Sequence, residues 1–291
     1  MKLNTETVTA PPRAAATVLL LRDTPAGFEV FMLKRHAESD VLGGAYVFPG
    51  GKVDISDHSP EALDCHASSL EAMHRALAEP QLDPIAAAAL LYAACRETFE
   101  ECGVLLVPGA GAGLLRQAAA CAGQGFDFAE TLHSLGLKLD CGSLLPWSRW
   151  ITPVVPSLST KRFDTRFFVV GQPPDQQPLH DNRESSDSAW FAPREALERY
   201  WAREIQLAPP QLMSLAHLSR HASVAQVLAD AGSRPPPLIQ PEPFQLDGNR
   251  VVAYPGDERH PVSQRAMPGP TRLIFRDGRF EPADGFEAFF T

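Results

Sequence analysis

The chain has 291 residues, with 26 Lys and Arg against 35 Asp and Glu, a formal net charge of −9, and 44% hydrophobic residues. Composition of this kind excludes wholesale disorder, and at roughly 150 residues per domain the length suits one enlarged domain or two. An acidic balance with no basic run leaves nothing to hold a nucleic-acid polymer or an anionic membrane surface.

Residues 1–13 read as a flexible N-terminal arm closing on Pro11-Pro12. The apolar run from Ala14 to Leu21 is far shorter than the ~20 residues that span a bilayer, and Arg22-Asp23 directly after it argues against a signal peptide. Ala14 to Arg22 and Phe28 to Lys34 predict two strands joined by a turn over 23–27. The following loop carries Gly43-Gly44 and Phe48-Pro49-Gly50-Gly51, glycines that let a backbone approach a ligand closely. Asp83-Pro84 joins an N-cap to a proline at the first helical position, and Gly103 supplies a stop, so a helix is predicted over Ile85 to Cys102. Residues 58–82 and 111–136, rich in Ala, Leu and His, read as helical insertions on either side of it.

Trp147 to Pro153 and Arg162 to Val170 predict further strands, Pro193-Arg194-Glu195 opens another helix, and Ala208 to Ala231 reads as a helix pair. The Pro235-Pro236-Pro237 run marks off 232–291 as a C-terminal extension, with short strands at Val251 to Tyr254 and Arg272 to Arg279. Residues 14–231 then form one domain carrying insertions. Five cysteines without C-x-x-C spacing suggest reduced, mostly buried thiols in a cytoplasmic protein, and the terminal Ala-Phe-Phe-Thr is no peroxisomal or ER-retention signal. His217 and His221 lie at i,i+4 with no acidic neighbour to complete a site, and read as surface histidines, with metal binding as the alternative. Trp147, Trp150 and Phe163 read as core, with stacking on an adenine as the alternative.

The helix ending at Gly103 carries the chemistry. Leu91, Cys95, Phe99 and Cys102 make an apolar stripe, while Glu97, Glu100 and Glu101 share another face with Arg96 nearby. Like charges four apart destabilise a helix by about a few tenths of a kcal/mol per pair. A divalent cation would reverse that cost, since Mg²⁺ and Mn²⁺ take oxygen ligands. A solvated acidic face stabilised by Arg96 is the competing reading.

The upstream loop decides between them. Gly51-x5-Asp57, followed by Arg96-Glu97-Thr98-Phe99-Glu100-Glu101-Cys102-Gly103-Val104, resembles the Nudix box, G-x5-E-x7-R-E-U-x-E-E-x-G-U. The second half matches at every specified position. In the first, Asp57 stands for the usual Glu, and 38 residues separate it from Arg96. Leu33, Arg35 and Gly44-x3-Phe48-Pro49-Gly50-Gly51 resemble the upstream motif of the coenzyme A diphosphatases of that superfamily, with His36 in place of a serine and Asp40 where an arginine is expected. Trp150-Ile151-Thr152-Pro153, the stretch from Arg162 to Phe168, and Glu204-Ile205-x-Leu207-Ala208-Pro209-Pro210-Gln211 are similar to the mammalian peroxisomal acyl-CoA diphosphatase branch, which also has a long insertion inside its box.

The resemblance implies a Nudix α/β/α sandwich with a mixed sheet, helical insertions and a C-terminal extension, and an enzyme that hydrolyses the diphosphate of coenzyme A or acyl-CoA. ADP-ribose or a reduced dinucleotide is the alternative substrate, and a non-catalytic ligand sensor the alternative of another class. It implies Mg²⁺ or Mn²⁺ as cofactor, held by Glu97, Glu100, Glu101 and the Gly50 carbonyl, with Arg96 orienting the glutamates. Glu97 is the first choice of general base, Glu184 the second and Asp187 the third. Arg35, Gly51, Lys52, Arg162, Phe163 and Arg166 are the candidate substrate contacts, with water-exposed strand-edge charges the alternative for Arg162 and Arg166. The Ala/Leu-rich insertions suggest walls for a pantetheine or acyl arm. The partner is a small-molecule diphosphate, and the chain could pair as a homodimer.

Overall fold

The structure, a computed structural model, describes residues 7–39, 42–155 and 161–291; Asp40 lies outside them. Strands β1 (Arg13–Thr24) and β2 (Gly27–Arg35) form a hairpin whose turn ends at Gly27, with φ +136°. Then follow β3 (Tyr46–Val47), β4 (Gly50–Lys52), the insertion helices α1 (Pro60–Asp64) and α2 (Leu70–Leu77), the long α3 (Pro84–Cys102), and α4 (Ala112–Gly123) with α5 (Phe128–Ser134). The chain continues through β5 (Leu145–Ile151), β6 (Phe163–Gly171), β7 (Ser185–Phe191), α6 (Pro193–Trp201), α7 (Pro209–Leu218) and α8 (Val224–Ser233). It ends with β8 (Leu238–Ile239), β9 (Glu242–Leu246), β10 (Asn249–Ala253), β11 (Arg272–Arg276) and β12 (Arg279–Pro282).

The main sheet runs β3-β2-β1-β6-β5-β8, with β4 also pairing β1 and β7 pairing β2. It is mixed, since β1 and β6 are parallel, as are β5 and β8, while the other pairings are antiparallel. Strand alternation splits β1 and β6 between two cores. Ala16, Val18, Leu20, Phe168 and Val170 pack with α3 and the insertion helices, whereas Leu19, Leu21, Phe167 and Val169 pack with α6, α7 and α8. A sheet covered on both faces needs apolar residues at every position, hence the unbroken run in β1. The result is an α/β/α sandwich.

Asp83 caps α3 by accepting from the Ile85 and Ala86 amides, Pro84 occupies its first turn, and Gly103 ends it with φ +66°. The stripe of Leu91, Cys95, Phe99 and Cys102 is buried, but so are Tyr92, Ala93 and Ala94. Burial extends almost around the helix because the insertions cover its outer side; Phe128 of α5 stacks on Phe99 at 5.4 Å between ring centroids.

Residues 232–291 share a core with the helices before them. β8 extends the main sheet, and β9 to β12 form a second, antiparallel sheet in the order β12-β11-β10-β9. Val252, Tyr254, Leu273, Phe280 and Phe289 pack with Leu212 and Met213 of α7. The Tyr200 hydroxyl donates to the Phe280 carbonyl at 2.7 Å and accepts its amide at 2.9 Å. The histidine pair departs from the surface reading. His217 and His221 are half-buried beside Trp147, and each Nε2 lies 3.6 Å from an oxygen of Asp230, an acidic partner supplied by the next helix. All five cysteines are unpaired, four of them buried, and among the described residues no helix is long and apolar enough to cross a membrane.

Asp257 pins the second sheet. Its buried carboxylate accepts from Arg272 Nε at 2.5 Å and Nη2 at 2.7 Å, and from the Arg259 amide at 2.9 Å. Burial alone would raise its pKa, but the Arg272 hydrogen bonds and charge outweigh that and hold it below the usual carboxylate range. A depressed carboxylate contributes stability above its unfolded value and loses it as pH falls through the folded one. Asp257→Ala is therefore expected to cost about 3 kcal/mol at pH 7, read by urea denaturation, and the gap to the unmodified protein should shrink as pH falls below about 4.

Candidate active site

Arg96 is the centre of the site. Buried on α3, its Nε donates to Asp57 Oδ1 at 2.8 Å and its Nη2 to Asp57 Oδ2 at 3.0 Å, a two-pronged pair with a carboxylate that has no exposed surface. Its Nη1 donates to Glu97 Oε1 at 2.9 Å and to Glu100 Oε2 at 3.0 Å, and Nη2 also reaches the Lys52 carbonyl at 3.2 Å. Only a guanidinium fork can serve so many oxygens from one position. Burial would lower the Arg96 pKa, but the Asp57 bond and three neighbouring carboxylates push it above the ordinary arginine value. Asp57 in turn accepts from the Asp54 amide at 2.8 Å, closing a capping box around a short 3₁₀ turn. The two halves of the motif, 38 residues apart in sequence, thus meet at one ion pair.

The glycine loop supplies the opposite wall. The Gly50 amide donates to Glu101 Oε2 at 2.8 Å. A Cβ on Gly50, whose φ is +147°, would lie 2.3 Å from the Ala16 carbonyl, and one on Gly51 would lie 2.4 Å from Glu97 Oε1. Gly50 is required by the sheet backbone, whereas a side chain at position 51 would displace Glu97. Burial pushes Glu97 up to about 7 against the pull of Arg96, and burial pushes Glu101 up to about 8 against the Gly50 amide, with Glu97 and Glu184 adding to it. Glu100 is raised as well, again by burial.

Three crowded carboxylates, all raised by burial, form an all-oxygen donor set of the kind Mg²⁺ and Mn²⁺ take, and a cation would relieve the cost of ionising them. Among the described residues no three such groups converge into a ready-made cation cluster. The reason is visible: Glu97 and Glu100 lean on Arg96 Nη1, while Glu101 turns to Gly50.

The other sequence candidates divide. Arg35 stands at the mouth, its Nη2 3.7 Å from Glu184 Oε2, and Glu184 is well exposed. Its charge acts on Glu101, so Arg35, Glu184 and the α3 glutamates form one neighbourhood. Asp187 is tied to the Tyr46 hydroxyl at 3.1 Å. Lys52 sits exposed in the glycine loop, paired to Asp54. Phe163 lines a cavity next to Thr17. Arg162 is occupied by the Thr152 and Ala10 carbonyls. Arg166 is buried beside the turn after α2, its Nε and Nη2 on Glu79 at 2.9 and 2.6 Å and its Nη1 2.9 Å from Asp164. It is not a strand-edge charge in water, and with Arg149 and Asp164 it lines a separate cavity. Glu79 was invisible as its partner because an insertion helix brings it there.

The insertions present a mixed wall to the site. Their Leu77, Ala118 and Leu132 are spent in the core. Beside Arg96 and Glu100 they place Glu61, Asp127, Glu130 and His133 together with Phe128 and Ala129. Trp147, 1% exposed, is core. Asp57→Asn, which keeps the shape but removes the charge facing Arg96, is expected to cost about 3 kcal/mol in chemical denaturation.

A family model described as the NUDT19 Nudix domain matches residues 5–218. The chain is 28% identical to the acyl-coenzyme A diphosphatase NUDT19 of Gallus gallus, over 86% of this chain and 80% of that protein. With the human protein of the same name it shares 30% over 71% of this chain and 64% of that one. The crystal structure of a Nudix hydrolase from Alicyclobacillus acidocaldarius superposes with a TM-score of 0.58 at 26% identity, covering 79% of this chain and 99% of that one. A split box reunited by the Arg96–Asp57 pair, on this fold and with these relatives, means that the chain belongs to the NUDT19 branch of the Nudix hydrolase superfamily and is a diphosphate hydrolase.

Proposed function

We propose that the protein hydrolyses the diphosphate of coenzyme A or acyl-CoA, giving 3′,5′-ADP and 4′-phosphopantetheine or its acyl derivative. The observation that carries the reading is the Arg96-centred array, in which one buried guanidinium organises Asp57, Glu97 and Glu100 beside the Gly50-Gly51 backbone. The names of the NUDT19 relatives support the substrate class. Glu97, Glu100, Glu101 and the Gly50 carbonyl are the groups that would hold Mg²⁺ or Mn²⁺. Such a metal, when bound, neutralises diphosphate oxygens and lowers the pKa of a water.

The chain's own residues do the rest. Glu97, titrating at about 7, is matched to accept a proton from an attacking water at neutral pH. Arg96 keeps its carboxylate turned toward the glycine loop. Arg35, with Glu184 as its counter-ion, faces the incoming phosphates and suits bidentate contact with them. Glu184 is the second candidate base. Lys52 adds positive charge beside the loop.

Replacing Glu97 by Gln is expected to lower kcat about 100-fold or more, with the fold intact by circular dichroism. Gly51→Ala should fold too, since the atom it meets is the end of a flexible side chain, yet it should lose activity about tenfold because a ~1 Å misplacement of a reacting group is costly. Full turnover by Glu97→Gln would overturn the site. A substrate panel of coenzyme A, an acyl-CoA, ADP-ribose and NADH, each with Mg²⁺ and with Mn²⁺, should show the two coenzyme A species preferred. Equal turnover of all four would replace the reading with a broad nucleoside diphosphatase.

A further inference from the structure

A cavity of about 230 Å³ opens on the sheet face opposite α3. Three stretches distant in sequence build it: Trp150 on β5, Phe163 and Phe167 on β6, and the Pro209-Pro210-Gln211 start of α7, with Pro241 and Val252 of the C-terminal extension closing the far side. Thr17 forms its inner edge, and Thr17 is the β1 partner of Gly50: a Cβ on Gly50 would come within 3.0 Å of Thr17 Oγ1. The cavity therefore begins at β1, the strand against which the glycine loop of the active site is paired.

Its walls are mostly aromatic and aliphatic, with Thr17, Thr152, Thr165 and Lys161 adding polar groups. Gln211 is 7% exposed and lines the cavity, and its Oε1 is buried with no hydrogen-bond partner. Buried amides are normally satisfied, so an orphaned acceptor at a cavity wall calls for a donor from outside the chain. An alkyl chain in this space would leave the amide orphaned. A planar heterocycle with an adjacent donor and acceptor on its edge would satisfy both ends of the amide while stacking on Phe163 or Trp150, and adenine, with its N6 amine beside N7, presents that edge. Rotation about the last side-chain torsion of glutamine is soft, so the amide can turn to meet it.

We infer that this cavity is the nucleobase site, with Gln211 as the adenine-reading residue and the acyl or pantetheine arm directed elsewhere. The inference deepens the reading above and rests on a nucleotide-linked substrate, but not on which one.

The test is equilibrium binding of ADP and IDP, which need no cleavage, by titration calorimetry. IDP carries a carbonyl where adenine has its amine. The wild-type protein should bind ADP about tenfold more tightly than IDP. Gln211→Met, nearly equal in volume, should bring the two within twofold, and Phe163→Ala should weaken both alike. Equal affinities in the wild-type protein overturn the proposal without any variant. A preference that survives Gln211→Met in folded protein overturns it too, as does a Gln211→Met variant that leaves the base preference alone but tightens decanoyl-CoA relative to coenzyme A, which would assign the cavity to the acyl arm. Adenine preference abolished by Gln211→Met in a protein that cleaves neither coenzyme A nor acyl-CoA would uphold the base site while rejecting the proposed substrate.

Discussion

The bond between Arg96 and Asp57 holds the site together, and the fold is arranged to keep it dry. A buried carboxylate without a partner is intolerable, and a buried guanidinium scarcely less so, so each fixes the position of the other. Asp57 is carried on a short turn after β4, and Arg96 on the long helix across the sheet. Everything between them, including α1 and α2, can vary in length as long as the two ends return to that contact. The insertion is tolerated for this reason, and loop-closure entropy grows only slowly with length.

Having satisfied Asp57, Arg96 has one nitrogen left for Glu97 and Glu100, and this shapes the electrostatics of the whole face. One positive charge cannot neutralise four carboxylates, and only Glu100 among them is open to water. Glu97 and Glu101 respond by holding protons near neutrality. The site is thus an acidic surface poised between protons and cations, and a bound cation would make it more attractive to a diphosphate. Net charge, which argues against polymeric phosphate ligands, is no guide to a small one.

How much of this was legible in the sequence follows from how local each feature is. The α3 half of the box lies on consecutive turns of one helix, bounded by Asp83-Pro84 and Gly103, and could be read directly. The Gly50-Gly51 requirement was visible as a pattern, although its cause, the approach of β1 on one side and Glu97 on the other, needs the fold. The surroundings of Arg162 and Arg166 could not be read because their partners come from far along the chain: Ala10 for one, Glu79 for the other. The histidine pair was misjudged for the same reason, since Asp230 arrives from the following helix. β9 escaped notice because Pro243 interrupts any strand pattern; it is tolerated there because β9 is an edge strand. Gln211 was visible only as one letter in a proline-rich stretch. Its significance depends on being an unsatisfied amide at the wall of a mostly apolar cavity, which no sequence pattern encodes.

The packing of 232–291 into the second core also has a bearing on how the chain is made. Until those residues leave the ribosome, β5 lacks its neighbour β8, and the surfaces of α6 and α7 that receive Phe280 and Phe289 stand open to solvent. The catalytic helix and its glycine loop are synthesised early and face the other core, so that half can organise first. The second face must wait, and in that interval it is an apolar surface of the kind that chaperones bind.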